Sequence, residues 1–446
     1  MCQSCFLTPV LVVELRSVKP SESCRHRPLT TPLRPSPEAV DDSGVERRKI
    51  KPAQRRNILL YYAFSFLVGF YIATGTTVLF ERQLGLSFAQ IFTLDAIYML
   101  MFILFEIPSG ALADLMGRKK TILAGLAVLI VGAIATGNAQ NFMHLFLSFF
   151  IWALGFSLIS GSSEALLYDS LKDEKLFHRI SGRSLSFSVS GLALAGVVGP
   201  LLFAQHFRLP YLSSALPFAA ALLVMIFYRE PAATPKQKFS IRNHAKQIRE
   251  GARRAFDNRF VLWSTGALAL VFAVSYTFTS SYQPYLTQIG FNVTQFAFIL
   301  PLMFVSEALG GAWSEKITSR VGETAAFWGN FLLLGTSLLV LGFLASKFVV
   351  PLLLVYGFLQ GFARPLVSTY ANRYIDSDHR ATIISVQVMF STITASALLF
   401  SFGFLTDRIG VIALAGVIGT LVLVAGIPLL LLRPRADYHE VVEDKL

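Results

Sequence analysis

Residues Gly110 to Lys120 read Gly-Ala-Leu-Ala-Asp-Leu-Met-Gly-Arg-Lys-Lys, and this stretch decides the fold. It joins two apolar segments, about residues 88–109 and 121–138, and each segment is long enough to cross a bilayer. A short loop that carries three consecutive cations must lie in water, and such loops face the cytoplasm in membrane proteins. The stretch therefore predicts a tight cytoplasmic turn between two transmembrane helices.

The residue types in this loop have specific chemical uses. Gly110 and Gly117 allow a tight backbone turn and close contact between helices. Asp114 is predicted at a helix end, where its carboxylate can accept hydrogen bonds from the exposed N–H groups of a neighbouring helix. Arg118 can hold a carboxylate through two parallel hydrogen bonds.

The pattern Gly-x-Leu-Ala-Asp-x-x-Gly-Arg-Lys resembles the loop between helices 2 and 3 of the major facilitator superfamily of transporters. In that family the loop closes the cytoplasmic face in one conformation and releases it in the other. The resemblance implies a cytoplasmic gate at Gly110, Asp114, Gly117 and Arg118. It covers about residues 57–432 and names no substrate.

Composition indicates an integral membrane protein. Of the 446 residues, 54% are hydrophobic and 15% are charged, against about 25% charged in soluble domains. The net charge of +12 is carried by loops and tails, which indicates orientation in a lipid bilayer rather than binding of nucleic acid. Twelve segments are long enough to span as helices, at about 57–80, 88–109, 121–138, 142–168, 184–205, 209–229, 259–283, 292–313, 323–345, 348–374, 382–404 and 410–432.

The predicted fold is all-α and integral to the membrane, with twelve transmembrane helices in two six-helix repeats. Lys and Arg are concentrated in alternate loops, so both termini are expected in the cytoplasm, with the chain in the plasma membrane or the inner membrane of a Gram-negative cell. A solvated basic linker is the alternative for residues 230–258. The predicted parts are a disordered basic tail at 1–56, an N-terminal bundle at 57–229, a linker with an amphipathic basic helix at 230–258, a C-terminal bundle at 259–432 and a tail at 433–446.

An internal repeat supports the division into halves. Residues 106–114 and 307–315 match at an offset of 201 positions, which pairs Glu106 with Glu307 and Asp114 with Glu315. In this register Thr318 replaces the second glycine of the loop. The second copy of the gate is therefore expected to be incomplete and to keep Glu315 as its acid. Parallel repeats of this kind are found in transporters.

Ionisable residues inside the spans are candidates for function, because a charge in hydrocarbon costs at least about 2.5–3.5 kcal/mol on insertion scales. By resemblance to the family, helices 4 and 10 line the central cavity, which makes Glu164 and Arg364 the first candidates for proton coupling or substrate contact. Such a pair can form in one conformation and separate in another. The alternatives are a fixed structural ion pair or a Glu164 that reaches solvent. Asp169 is expected to pair with Arg179 or Arg183 in cytoplasmic water.

Three further acids are secondary candidates for the proton site or the substrate site. Asp95 and Glu106 lie eleven residues apart on the second span, which is close to three helical turns, so they share one helix face. Glu106 and Glu307 stand near the predicted gate acids and are expected to belong to the contact between the two halves.

Neither a metal nor a cofactor is expected. The three cysteines, Cys2, Cys5 and Cys24, lie in the N-terminal tail, and no second pair accompanies the first for a zinc site. The sequence contains no His-Glu-x-x-His motif, nucleophile elbow or phosphate-binding glycine loop. An enzyme and an ATP-driven pump are therefore not expected.

The leading hypothesis is a secondary active transporter that moves a small organic solute by alternating access, coupled to protons and directed outward. The expected partners are the solute, protons and the lipid bilayer, and the chain is expected to act as a monomer. Residues 195–200 read Ala-Gly-Val-Val-Gly-Pro and are similar to part of the helix-5 motif of drug–proton antiporters, which favours export. The alternatives are a proton-coupled uptake symporter of the same fold and a non-transporting membrane sensor.

Overall fold

The structure is a computed structural model, and it describes residues 52–231, 250–253, 255–375 and 380–434. Residues 1–51 of the predicted N-terminal tail, most of the basic linker helix and nearly all of the C-terminal tail lie outside these residues, whereas residues 52–56 of that tail belong to the first helix. In the described part the regular elements are helices: α1 (Pro52–Gly69), α2 (Thr77–Gln83), α3 (Phe88–Met116), α4 (Arg118–Gly137), α5 (Phe142–Leu171), α6 (Glu174–Gln205), α7 (Leu209–Ile226), α8 (Arg259–Thr279), α9 (Tyr282–Gln288), α10 (Phe296–Val321), α11 (Glu323–Phe343), α12 (Val350–Arg373) and α13 (Arg380–Leu431).

Eleven helical segments among the described residues are long and apolar enough to cross a membrane. The first is broken, because α1 and α2 are joined by a short 3-10 turn at Ile72–Gly75 and together form the span Gln54–Gln83. The last candidate segment is 50 residues long. A straight helix of that length measures about 75 Å, more than twice the hydrocarbon thickness of about 30 Å.

The helix α13 reverses direction at Gly410, where φ is 83° and ψ is 163°. Both of its limbs reach the same turn of α8. The amide of Gln387 donates to the Val261 carbonyl at 3.3 Å, and the indole N–H of Trp263 donates to the Leu429 carbonyl at 2.6 Å. A straight helix would place residues 387 and 429 about 60 Å apart. The element therefore crosses the membrane twice, which confirms the predicted twelve transmembrane helices.

Close packing within each half depends on small residues, since lipid supplies little hydrophobic force between helices. A Cβ atom added at Gly191 of α6 would overlap the Phe66 carbonyl of α1. One added at Gly361 of α12 would overlap the Glu307 carbonyl of α10. Backbone therefore lies directly against backbone at both helix pairs.

The N-terminal half, α1–α7, and the C-terminal half, α8–α13, meet at one end of the bundle, which we call the closed face. There the Gln283 side-chain oxygen of α9 accepts from the Val78 N–H of α2 at 2.9 Å. The Asp407 carboxylate accepts from the N–H groups of Phe88 and Ala89 at 2.8 and 2.9 Å, so it caps the first turn of α3 from the other half. The opposite end, which carries the turns at 117 and 322, is called the loop face.

Candidate functional site

The predicted gate loop is anchored by Arg118, the first residue of α4. Its guanidinium group lies 2.5 Å from the Asp169 carboxylate at the end of α5 and also donates to the Ala165 carbonyl. The predicted partners Arg179 and Arg183 are wrong, because the tight turn after α3 brings the start of α4 against the end of α5. Arg118 thus holds a carboxylate, as its chemistry suggested.

The same loop is tied to the end of α7. Gly117 has φ of 96°, a conformation that glycine adopts without strain. The Lys119 ammonium donates to the Ile226 carbonyl at 2.7 Å, and its backbone N–H donates to the Glu230 carboxylate at 3.3 Å. Nearby, burial raises the pKa of the Tyr228 hydroxyl to about 12, so that this group stays protonated at physiological pH. The contacts of Lys119 with Ile226 and Glu230 therefore hold the loop within the N-terminal half.

The structure fixes the register of the internal repeat. Helix α3 begins with a capping box at Ser87, and the 3-10 turn Val293–Gln295 that leads into α10 begins with one at Asn292. In each box the cap and the third following residue bond to each other's backbone. Helices α3 and α10 both end at a glycine with positive φ, Gly117 at 96° and Gly322 at 84°. The two ends agree on an offset of 205 positions, four more than the sequence match.

The predicted second gate copy is therefore wrong by about one helical turn. In the observed register Asp114 corresponds to Ser319, and Glu315 corresponds to Gly110. Thr318 lies inside α10 and replaces no glycine, because Gly322 makes the turn. An error of four residues keeps the same helix face at 3.6 residues per turn, so the pattern of side chains alone could not exclude it.

The loop face of the C-terminal half repeats the Arg118–Asp169 pair with its charges exchanged. Glu323, the first residue of α11, accepts from Arg373 at the end of α12 at 2.5 Å. Arg433 lies 3.4 Å from the other oxygen of Glu323. Helix starts and helix ends are thus paired in the same way in both halves, with cation and anion swapped.

A cavity of about 110 Å³ lies in the N-terminal half between α1, α3, α5 and α6. Glu164 of α5 supplies the carboxyl group of its lining and is partly exposed. Six serines and several aromatic rings surround it. The lining side chains are Tyr61, Phe64, Ser65, Val68, Tyr98, Phe102, Phe156, Ile159, Ser160, Ser163, Glu164, Ser181, Ser184, Leu185 and Ser188.

Arg364 lies in the C-terminal half and is held there. Its guanidinium group donates to the Ser275 hydroxyl at 3.3 Å and stands over the Phe272 ring at 5.4 Å. One turn earlier the amide of Gln360 is buried without a hydrogen-bond partner. Among the described residues no ion pair joins Glu164 to Arg364 in this conformation, and their predicted coupling stays a prediction.

The three secondary candidates occupy different environments. Asp95 is 3% exposed, and its carboxylate accepts from the Ser280 hydroxyl of the other half at 2.6 Å. Glu307 lies within electrostatic reach of Arg364 on the neighbouring helix α12. Glu106 is exposed, and the register places it opposite a glycine rather than opposite Glu307. Asp95 is thus the candidate that contributes to the contact between halves.

The sequence reasoning missed Glu81. Its side chain is 1% exposed, and neither carboxylate oxygen has a hydrogen-bond partner. The first predicted span ended at residue 80, which left Glu81 in a loop, whereas the structure continues the span to Gln83. An acid at the end of a long apolar run was the available signal.

The chain crosses the membrane twelve times in two pseudo-equivalent halves, and each half has a glycine turn and an ion pair at the same place. Features of this kind can be shared within a protein family. A family model described as the Major Facilitator Superfamily matches residues 58–398. The chain belongs to this superfamily. The transporter is 24% identical over 379 residues to the MFS-type transporter YxaM of Bacillus subtilis, covering 82% of this chain and 93% of that protein.

The chain also resembles a drug-resistance protein in sequence and a nucleoside transporter in structure. The transporter is 26% identical over 258 residues to the chloramphenicol resistance protein CraA of Acinetobacter baumannii, covering 55% of this chain and 59% of CraA. A crystal structure of the nucleoside transporter NupG superposes with a TM-score of 0.73 at 14% identity, covering 86% of this chain and 100% of that one. At such identity the superposition shows the fold alone.

Proposed function

We propose that this transporter exports small organic solutes in exchange for protons by alternating access. The observation that carries the proposal is the cavity in which one carboxyl group, Glu164, stands among aromatic rings and serine hydroxyls. The likeness to CraA and the helix-5 motif at residues 195–200 support the outward direction.

The chemistry of this cavity suits exchange. Aromatic faces accept the apolar part of a solute and serine hydroxyls accept its polar groups. A single partly buried carboxyl group binds either a proton or a polar group of the solute, since burial without a partner disfavours its free charge. Competition for that group links the two fluxes, provided that each ligand favours a different conformation.

Inside-out membrane vesicles test this proposal. Respiration acidifies the interior of such vesicles, and a panel of neutral and cationic amphipathic solutes is then added while a fluorescent probe reports the pH gradient. Export by exchange predicts that some solutes dissipate the gradient only in vesicles that contain the transporter. Uptake with protons would instead need the opposite vesicle orientation, and a sensor would give no solute-dependent dissipation in either orientation.

We also propose that the loop face is cytoplasmic, since it carries Arg118, Lys119 and Arg373. Single cysteines placed beside Lys120 or Lys175, in a variant whose three native cysteines are serine, should react with an impermeant reagent only from the cytoplasmic side. Cysteines beside Arg82 or Lys347 should react only from the other side. Reaction of both groups from one side would contradict the twelve-helix topology.

The gate is tested by Asp114→Asn, which keeps the side-chain size and removes the charge. If Asp114 stabilises closure of the loop face, transport should fall about tenfold, a coupling of ordinary size between two conformations. Membrane insertion should be unchanged, as measured by the yield of monodisperse protein. Glu315→Gln is the matched control, because the observed register removes its equivalence to Asp114. Equal transport by the two variants would contradict the gate.

A further inference from the structure

Glu81 is an acid that the proposed transport cycle does not use. It lies on α2, is 1% exposed, and both of its carboxylate oxygens are buried with no hydrogen-bond partner. An ionised carboxylate in such a place would lose its hydration without gaining a compensating interaction, at a cost far above that of a neutral carboxylic acid.

Within residues 52–231, 250–253, 255–375 and 380–434, the groups in electrostatic reach of Glu81 do not supply a positive charge. Asp95 of α3 lies within electrostatic reach of it, as do the hydroxyls of Tyr71 and Tyr211, and none of the three is a cation. Two arginines of the same half, Arg82 beside Glu81 in sequence and Arg208 just before α7, bind elsewhere. Arg82 donates to the Leu86 carbonyl, and Arg208 donates to the carbonyls of Gly137 and Ala139.

The surroundings of Glu81 are part of the closed face. Two and three residues before it, Leu79 and Val78 donate their N–H groups to the side-chain oxygen of Gln283 on α9. The amide of the same Gln283 donates to the Thr77 hydroxyl at 3.3 Å and to the Tyr282 hydroxyl at 3.4 Å. Asp95 bonds across the halves to Ser280. Contacts between the halves thus lie one helical turn from Glu81 and at Asp95, which is within electrostatic reach of it, and these contacts must break when this face opens.

We propose that Glu81 is a proton-binding site whose occupancy holds the closed face shut. With the proton bound, the carboxyl group is neutral and α2 packs against α9. When the face opens, water reaches Glu81 and the group ionises. The inference rests on the alternating-access part of the proposed function, but not on the solute, the direction of transport or Glu164.

This arrangement fixes the direction of the pH effect. The closed conformation binds one proton more than the open one, so acid favours closure and alkali favours opening. For a single proton, each pH unit changes the ratio of open to closed molecules by up to about tenfold. In the proposed orientation the closed face is opposite the cytoplasm, and acid outside the cell would promote its closure.

The test is a distance measurement across the closed face. Gln83 and Gln288 are exposed and end α2 and α9, so spin labels on cysteines at these two positions report their separation. The full chain, with its native cysteines replaced by serine, is measured in lipid nanodiscs from about pH 5 to about pH 9 without solute or gradient. The wild-type background should gain a population with a longer distance as pH rises.

Three variants separate the outcomes. Glu81→Gln, checked for folding by size-exclusion chromatography, should keep the short distance at every pH, while Glu81→Asp retains a carboxyl group and should retain a pH response. Because a proton on Glu164 also favours one conformation in the proposed exchange, Glu81→Gln is repeated in the Glu164→Gln background, where the response should persist with Glu81 and disappear without it. Failure of the proposed exchange at Glu164 is then distinguishable from failure here. Any of three results would overturn the proposal: a wild-type distance that does not depend on pH, a distance that depends on sodium concentration instead, or a pH response in Glu81→Gln equal to that of the wild type.

Discussion

Replacing Glu164 by Gln is expected to reduce proton-driven accumulation of solute to the level of vesicles that lack the transporter. The substitution keeps the shape of the cavity and removes the group that we propose exchanges a proton for the solute. Solute should still bind and move down its own gradient, because the aromatic and serine side chains of the cavity remain. The comparison of uphill accumulation with downhill exchange in the same proteoliposomes measures this difference.

The matched control is Glu174→Gln, an equivalent change at an exposed acid in the first turn of α6. It should accumulate solute as the unmodified transporter does. Retention of uphill transport by Glu164→Gln would move the proton site to Asp95 or Glu106. Arg364→Ala, alone and combined with Glu164→Gln, tests their predicted pairing. Losses in the double variant that equal the sum of the single losses would show that the two residues do not interact at any point in the cycle.

The second large effect is expected at Gly361, where α12 lies against α10. A methyl group at this position would overlap the Glu307 carbonyl group, whose backbone atoms cannot rotate away. Alanine in a helix gains about 1 kcal/mol over glycine, whereas overpacking of this kind costs about 1–3 kcal/mol or more. Gly361→Ala should therefore lower the melting temperature and the yield of monodisperse protein.

Gly329 of α11 supplies the control for that substitution. An added methyl group there meets no atom within 4 Å, so Gly329→Ala keeps only the gain in helix propensity. Its melting temperature should equal or exceed that of the unmodified protein in the same detergent. If Gly361→Ala proved as stable as Gly329→Ala, the close approach of α12 and α10 would be contradicted.

Local sequence was sufficient for the number and order of the membrane helices. Each span is a run of apolar residues whose length the bilayer sets, so a window of about twenty residues contains the signal. The turn after α3 was also local, because Gly117 takes a positive φ and three cations follow it. The first span, predicted at 57–80, was misjudged by three residues at each end: it begins at Gln54, and a 3-10 break between α1 and α2 carries it on to Gln83.

The pairing of side chains between helices was decided by the tertiary structure. Arg179 and Arg183 follow Asp169 closely in the sequence, but in the fold Asp169 pairs with Arg118, which lies 51 positions before it. The repeat register was off by four residues, since a shift of one turn preserves the helix face. The capping boxes at Ser87 and Asn292 and the glycine turns at Gly117 and Gly322 distinguish the two alignments. Glu81 is buried beside a contact between the halves, in which the Val78 N–H donates to Gln283, more than two hundred residues away. The length of an apolar run is a property of a single segment, so the sequence by itself determined the spans. The partner of a charged group, or the loss of its hydration, depends on the surfaces that packing brings together. Only the tertiary structure therefore decided which charges meet.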